Sequence, residues 1–507
     1  MKPHRLRRRR ALLLIGSAAA ALAAGRAGAQ AFQGNFVNTA GAAVRQINTA
    51  TTETIVVTTP SAILTWTPTD SAIGGPPIDF LPAGNAATFT NGPGLKDFIV
   101  LNRIIPKDLT RAIQLNGTIL SQLQSAGNTA RGGTVAFFSP AGILIGSKAV
   151  IDVGSLLLTT IDPKTDVNGN FFVGNSYALT GAVNSKSLIS IASGAQISAL
   201  NEGSYVAITA PIVQQHGSIQ VNGSAALVAA EAVTLTINNG LFDIQVAVGS
   251  SSANNTLVHD GTTGGPASTG AAGDNHRIYL VAVPKNQAIT ALLQGNVGFA
   301  AASSAAIQNG EIILSAGRSV TSADTFKAAP TTPDASFRIQ GGSFTSDVLG
   351  SAVTDFIVDS VNADTSFTGN VRLTGDQRAR VEPVAGRTVA ITGSLELRSD
   401  GTDQTRSPGM DNVGGDASIV AAGSNVTVGG DVLLSAIGRG GFDSSGNIAG
   451  SGSGGFATIL ANGGGKVAIG GALTADARGF GGTGGAPAQQ GGMAQGGTAF
   501  ISADSAR

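Results

Sequence analysis

Short apolar runs closed by Gly, Pro, Asn or Asp recur along almost the whole chain, and helical periodicity is scarce. The first runs are Thr54–Thr58, Ala62–Trp66, Ala87–Thr90, Phe98–Leu101 and Gln114–Ile119. Residues 131–158 then pack two short apolar strands and two Gly turns into one stretch. From residue 188 the beat becomes regular, at Leu188–Ile191, Gly194–Ile197, Tyr205–Ile208, Pro211–Val213, Gly217–Val221, Ala226–Val228 and Val233–Ile237. Strands this short and this close do not build a sandwich. They predict an all-β chain wound as a right-handed parallel β-helix, a solenoid of about 20 residues per coil. Each strand then pairs with the coil before and after it, so few backbone groups go unpaired.

The same reading divides the chain. Residues 30–250 form a first β-helical block, and residues 276–398 supply further coils. Three stretches, 249–274, 321–336 and 399–415, are rich in Gly, Ser, Thr, Ala or Asp and are expected as surface loops or joints. Residues 415–507 carry a Gly-rich repeat: Gly415–Gly423 with Val426–Gly430 matches Gly455–Gly463 with Val467–Gly471, an offset of about 41 residues. A third copy opens at Gly497 and stops short, so a longer parent protein is expected.

Composition adds a compartment. Residues 1–29 hold a basic start with Arg7 to Arg10, an apolar stretch from Ala11 to Ala24, and Ala27-Gly28-Ala29 ahead of Gln30. This predicts a signal peptide cleaved after Ala29, for general secretion rather than the twin-arginine route. Its removal leaves 24 basic against 31 acidic side chains, a net charge of about −7. That sign, with few aromatics and no basic cluster, argues against nucleic-acid binding. No cysteine occurs, so disulfides, thiolate nucleophiles and Cys-ligated metals are excluded.

Candidate chemistry is sparse. His4, His216, His259 and His276 show no metal-ligand spacing and are expected as solvated loop residues. Asp97 near Arg103, Asp108 near Arg111, and Asp376 near Arg378 and Arg380 read as solvated surface charge. Gly479–Gly484 satisfies a G-x-G-x-x-G pattern but opens no helix, as chance allows in a chain with 71 glycines. No catalytic, cofactor or metal residue is expected.

Leu101-Asn-Arg103, Gly117-Thr-Ile119, Gly132-Gly-Thr-Val-Ala-Phe-Phe-Ser-Pro-Ala-Gly-Ile-Leu-Ile-Gly146 and Ile151-Asp-Val-Gly-Ser-Leu156 occur in that order. Together they resemble the amino-terminal secretion domain of filamentous haemagglutinin-like exoproteins, the large partners of two-partner secretion systems. The resemblance covers about residues 32–245, and the family's Asn-Pro-Asn-Gly turn is here Ser139-Pro140-Ala141-Gly142. It implies recognition in the periplasm by an outer-membrane β-barrel transporter, then folding at the surface of a Gram-negative cell, and a role as an adhesin. Host or neighbouring cell-surface glycans or proteins would be its further partners. Asn102, Arg103, Ser139, Pro140, Ala141 and Gly142 are the residues it marks for transporter recognition, and all six also suit the corner geometry of a coil. Two other readings accompany it: a β-helical enzyme acting on polysaccharide, which requires acidic side chains converging in one cleft, and the amino-terminal part of a larger contact-dependent toxin or cytolysin.

Overall fold

The computed structural model describes residues 30–251, 256–269, 275–285, 289–301, 310–330, 334–401, 410–441, 449–483 and 491–504. The expected signal peptide and residues 402–409 lie outside them. The chain winds as a parallel β-helix with three faces, visited in a fixed order. Ser61–Pro68 opens the first face, Ile78–Leu81 the second and Ala86–Asn91 the third; the next coil repeats the cycle at Ile99–Ile104, Ile113–Leu115 and Thr118–Ser125. Among the described residues thirteen strands stack on the second face. The first and third faces merge into one sheet because Gln196–Ala210 and Ser218–Ala229 turn the corner between them without a break in the strand. Pairing continues across residue 250, through Val213 to Leu257 and Ser218 to Thr262.

Registered partners sit 19 residues apart at Phe337 and Phe356 and 24 apart at Leu188 and Ile212. The expected coil length holds wherever no excursion intervenes. Every second residue of a strand points inward, so partners stack as columns. Phe337 lies on Phe356 at 5.1 Å and Phe344 on Phe367 at 4.8 Å. The amino-terminal end is closed by Gly34–Ala40 and Ala43–Ile47, which run antiparallel on the first coil. Beneath them Phe32, Trp66, Phe80, Phe89 and Phe137 form one aromatic cluster, with ring centroids 5.1 to 6.3 Å apart. Fully burying such side chains stabilises by about 1.5 to 3 kcal/mol each.

Corners are held by a polar ladder. Asp347 Oδ1 accepts the Asn370 backbone N–H at 2.8 Å, Asn370 Oδ1 that of Ser394 at 3.0 Å, Ser394 Oγ that of Asp431 at 3.1 Å, and Asp431 Oδ1 that of Ala472 at 2.7 Å. Each side chain satisfies a donor one coil further on, where the bent backbone has no sheet partner to offer.

Outside the solenoid lies a second layer. Asp162–Pro163, Ser176–Thr180, Ala232–Asn238, Leu241–Val248, Arg318–Val320 and Phe326–Ala328 form an antiparallel sheet. Its Tyr177, Leu179, Leu235, Phe242 and Ile244 cover the outward residues Leu101, Ala136, Leu157, Ala226 and Tyr279 of the first face. The hydroxyls of Tyr177 and Tyr205 meet at 2.5 Å inside this interface, and burial pushes Tyr205 up to about 12.

Several expectations are corrected by these facts. Residues 131–158 hold four strands, Thr134–Phe138, Ile143–Ile145, Val150–Asp152 and Ser155–Thr159, not two. Val233–Ile237 belongs to the outer sheet rather than to a coil, because Asn239 and Gly240, both at positive φ, fold it back on Leu241–Val248 as a hairpin. Within 249–274, Leu257–His259 and Thr262–Gly265 are coil strands. They look like loop because the rung is built without bulk: a side chain on Gly265 would sit 1.8 Å from Val221 O. Residues 321–336 hold the outer strand Phe326–Ala328. In the Gly-rich repeat Asp416 pairs with Phe456 and Phe456 with Thr498, so the sequence period is the coil itself.

Candidate functional site

Asn102 and Arg103 are neighbours on the strand Ile99–Ile104 and point to opposite sides. Asn102 faces the interior, where it is fully buried. Trp66 Nε1 donates to its Oδ1 at 3.0 Å, and its Nδ2 donates to Ala136 O at 3.2 Å. A buried amide needs such partners, because an unmet buried polar group costs about 1 to 3 kcal/mol. Here Asn102 ties three successive coils together from inside.

Arg103 points outward. It grips Asp162 with two hydrogen bonds of 2.6 and 2.9 Å and lies over the Phe138 ring at 4.9 Å. The guanidinium edges a recess of about 370 Å³ with Thr39, Thr65, Asp162 and Lys164, between the end cap and the outer sheet.

The turn at 139–142 links the first face to the second. Gly142 N–H donates to Ser139 O at 3.3 Å, and Gly142 takes φ 114°, where an added Cβ would be strained and would crowd Leu188 O at 3.1 Å. Ser139 is buried and its backbone N–H reaches Thr159 O at 3.2 Å, but its Oγ meets no hydrogen-bond partner among the described residues. A longer Asn side chain could cap a backbone group there; Ser does not. Pro140 and Ala141 are half-buried. The fold therefore brings Arg103 beside the turn, through Phe138, and places Asn102 on the far side of the strand.

Trp66, Phe138 and Asp162 complete this site and were not picked out by the sequence. Trp66 carried one signal, being the only tryptophan. Asp162 carried none.

Asp108 stays within electrostatic reach of Arg111, but the other expected charge groupings give way to new pairs. Arg103 pairs with Asp162 rather than Asp97. Arg111 is buried and pairs with Asp70 at 2.6 Å, and the guanidinium holds Asp70 down to about 2. Asp376 pairs with Arg318 at 2.7 Å, Arg378 with Asp355 at 2.5 Å, and Arg380 with Asp416 and Glu382. Two histidines are also not solvated. His259 is buried between Gln294 O at 3.1 Å and Thr263 Oγ1 at 2.9 Å, and desolvation lowers its pKa. His276 is buried against Phe299. The Gly- and Thr-rich sequence between them imitates a loop. His216 remains partly exposed and meets Asp260 of the next coil at 2.5 Å.

Where the outer sheet ends, the first face is left open as a groove of about 660 Å³. Glu311, Asp324, Asp347, Glu396 and Asp431 line it, with Arg372. Glu311 and Asp324 share Arg277, Glu396 binds Arg372 and Arg398, and Asp347 and Asp431 belong to the corner ladder. Burial raises the pKa of Glu311, against the pull of Arg277. No group of three or more His, Asp or Glu able to hold a metal occurs among the described residues. No helix of the described residues is long and apolar enough to cross a membrane.

The chain is similar in fold to the HMW1 secretion domain of Haemophilus influenzae. That likeness runs at 16% identity over 87% of this chain and 90% of that one, with a TM-score of 0.39. No family model matches the sequence. No curated protein matches it either.

Proposed function

We propose that this chain is an exported exoprotein whose amino-terminal coils address it to an outer-membrane β-barrel transporter, and whose solenoid is a non-enzymatic rod for surface attachment, as in a haemagglutinin-like adhesin. One observation carries the reading. The segments that resemble the secretion domain stack on one another: Leu101 pairs with Ala136, Val135 with Leu156, and Ile119 with Ile151. A resemblance scattered along the sequence is thus one contiguous block behind a closed amino-terminal end. The absence of cysteine supports passage of an unfolded chain, since no covalent crosslink forms beforehand. Coils that each stabilise the next give folding outside the membrane a direction that opposes return. Cell-surface glycans or proteins are the proposed targets of the rod.

Deletion of residues 30–250 in producing cells tests the address. Loss of the chain from the surface and medium, with retention in the periplasm, is expected; undiminished export refutes it.

A second reading rests on the groove at Glu311, where acidic side chains do converge on one face. As a polysaccharide-acting enzyme the chain would release new reducing ends from a glycan, and Glu311→Gln would abolish that release. The pairing of every one of these carboxylates with an arginine or a backbone N–H favours the structural role.

A further inference from the structure

Four loops meet where the outer sheet leaves the solenoid, and each brings one polar side chain. Asn184 lies in the turn between Ser176–Thr180 and Leu188–Ile191, and Glu231 between Ser218–Ala229 and Ala232–Asn238. Ser251 follows Leu241–Val248, and Lys285 follows Arg277–Ala282. Ser250 bridges Pro284, and its carbonyl accepts the Lys285 backbone N–H at 2.8 Å, so these last two loops run side by side. The Asn184 backbone N–H donates to Glu231 Oε2 at 3.2 Å and that of Ser251 to Glu231 Oε1 at 2.9 Å, which fixes the carboxylate below the surface with its side chain 3% exposed. Above it, Lys285 Nζ lies 3.7 Å from Glu231 Oε2 and 3.4 Å from Asn184 Oδ1, and Ser251 Oγ donates to the same Oδ1 at 3.1 Å. An amine, a carboxamide, a buried carboxylate and a hydroxyl are thereby in mutual reach.

We propose that Lys285 and Asn184 join through an intramolecular isopeptide bond once the coils have closed. Glu231 takes a proton from the Lys285 ammonium, and the freed amine adds to Asn184 Cγ, one bond beyond the Oδ1 it already touches. The Ser251 hydroxyl holds the oxyanion that develops on Oδ1. Nζ gives up two protons in all, both relayed by Glu231 to Nδ2; the Cγ–Nδ2 bond breaks and the nitrogen leaves as ammonium. Glu231 ends as the carboxylate it began as, and no oxidant or co-reactant is consumed. Holding amine and amide in contact supplies the effective concentration that amide exchange lacks in water. Asn184 is exposed, so the ammonium has a way out. The partners are 101 positions apart in a chain without cysteine and meet only when it is folded, so the bond follows folding and pins the outer sheet to the solenoid. The proposal is independent of the export route.

Intact mass and tryptic mapping of the denatured chain recovered from producing cells test it. A branched peptide joining the segments around Asn184 and Lys285 is expected, one ammonia lighter than the two together and uncut after Lys285. The Lys285→Arg chain should keep that ammonia, whereas loss of ammonia by cyclisation at Gln30 or Asn184 would persist in it. Glu231→Gln should lower the linked fraction by about tenfold or more at equal times after synthesis. Ser251→Ala should lower it as well and leaves the buried carboxylate in place, and circular dichroism checks that each variant is folded. Separate peptides with normal cleavage after Lys285 in the parent overturn the proposal, as does a folded Glu231→Gln or Ser251→Ala chain linked as fully as the parent.

Discussion

Replacing Asn102 by Ala isolates what the interior amide contributes. The substitution orphans the Trp66 indole N–H, which is sealed from water, while the Ala136 carbonyl loses one donor and keeps its place in the sheet ladder with Ile99–Ile104. At about 1 to 3 kcal/mol for a buried unmet group, the expected loss is about 1 to 3 kcal/mol, and the lost 3.2 Å bond to Ala136 places it in the upper half. Trp66 is the only tryptophan, so its emission during urea unfolding reports these coils and no others. With a slope of about 1 to 3 kcal/mol per molar urea, a loss of about 3 kcal/mol moves the Trp66 midpoint down by about 1 to 3 M. Far-UV circular dichroism follows all coils together and should shift less, because a solenoid couples mainly nearest neighbours. Asn102→Leu fills the space but orphans the same indole N–H, and should lose nearly as much as Asn102→Ala. A leucine variant that unfolds with the parent would refute the reasoning, since the hydrogen bonds would then carry no net stability.

The buried Glu53 makes the end cap pH-dependent: desolvation raises its pKa above the ordinary value of 4.5 despite Arg45 beside it. The folded state therefore holds the proton more tightly than the unfolded one, so cap stability is greatest below 4.5, falls as pH rises through the raised value, and is flat above it; Glu53→Gln should flatten that slope in Trp66-detected melts at stepped pH. Gly142→Ala forces a side chain into φ 114° against Leu188 O and should cost about 1 to 3 kcal/mol, whereas Pro140→Ala, at a half-buried site, should cost under about 1 kcal/mol; thermal melts that rank the two the other way would contradict the assigned turn geometry.

The fold was readable because its period lies in the sequence. Alternating Val, Ile and Leu at coil spacing leaves few other ways to bury so many short strands. The outer sheet was harder to read. Both sides of Ile99–Ile104 are covered, so Val100, Leu101 and Asn102 show no contrast between inside and outside, and Asn102 passed for a turn residue. The hairpin at Asn239-Gly240 did leave its signature, but the strand before it has the same apolar beat as a coil strand. Rungs at Thr262–Gly265 were hidden for the opposite reason: their interior is Thr and Gly backbone, which by composition is loop.

Charge partners were unreadable for a geometric reason that also bears on function. In a solenoid the residue facing a given side chain lies one coil away, not a few positions away. Asp355 and Arg378 are 23 positions apart, Arg372 and Glu396 are 24 apart, and Arg103 and Asp162 are 59 apart because the outer sheet intervenes. Only the coil length says which carboxylate belongs to which arginine, and each excursion resets it. Such pairs form only once the following coil is in place, so an emerging chain would present their charges to water until that coil arrives. The aromatic cluster under the amino-terminal cap works differently. Phe32, Trp66, Phe80 and Phe89 lie within the first coil and its cap and bury one another before later coils are needed. Stability is thus weighted toward the amino-terminal end, and each added rung finds a finished edge to pair with.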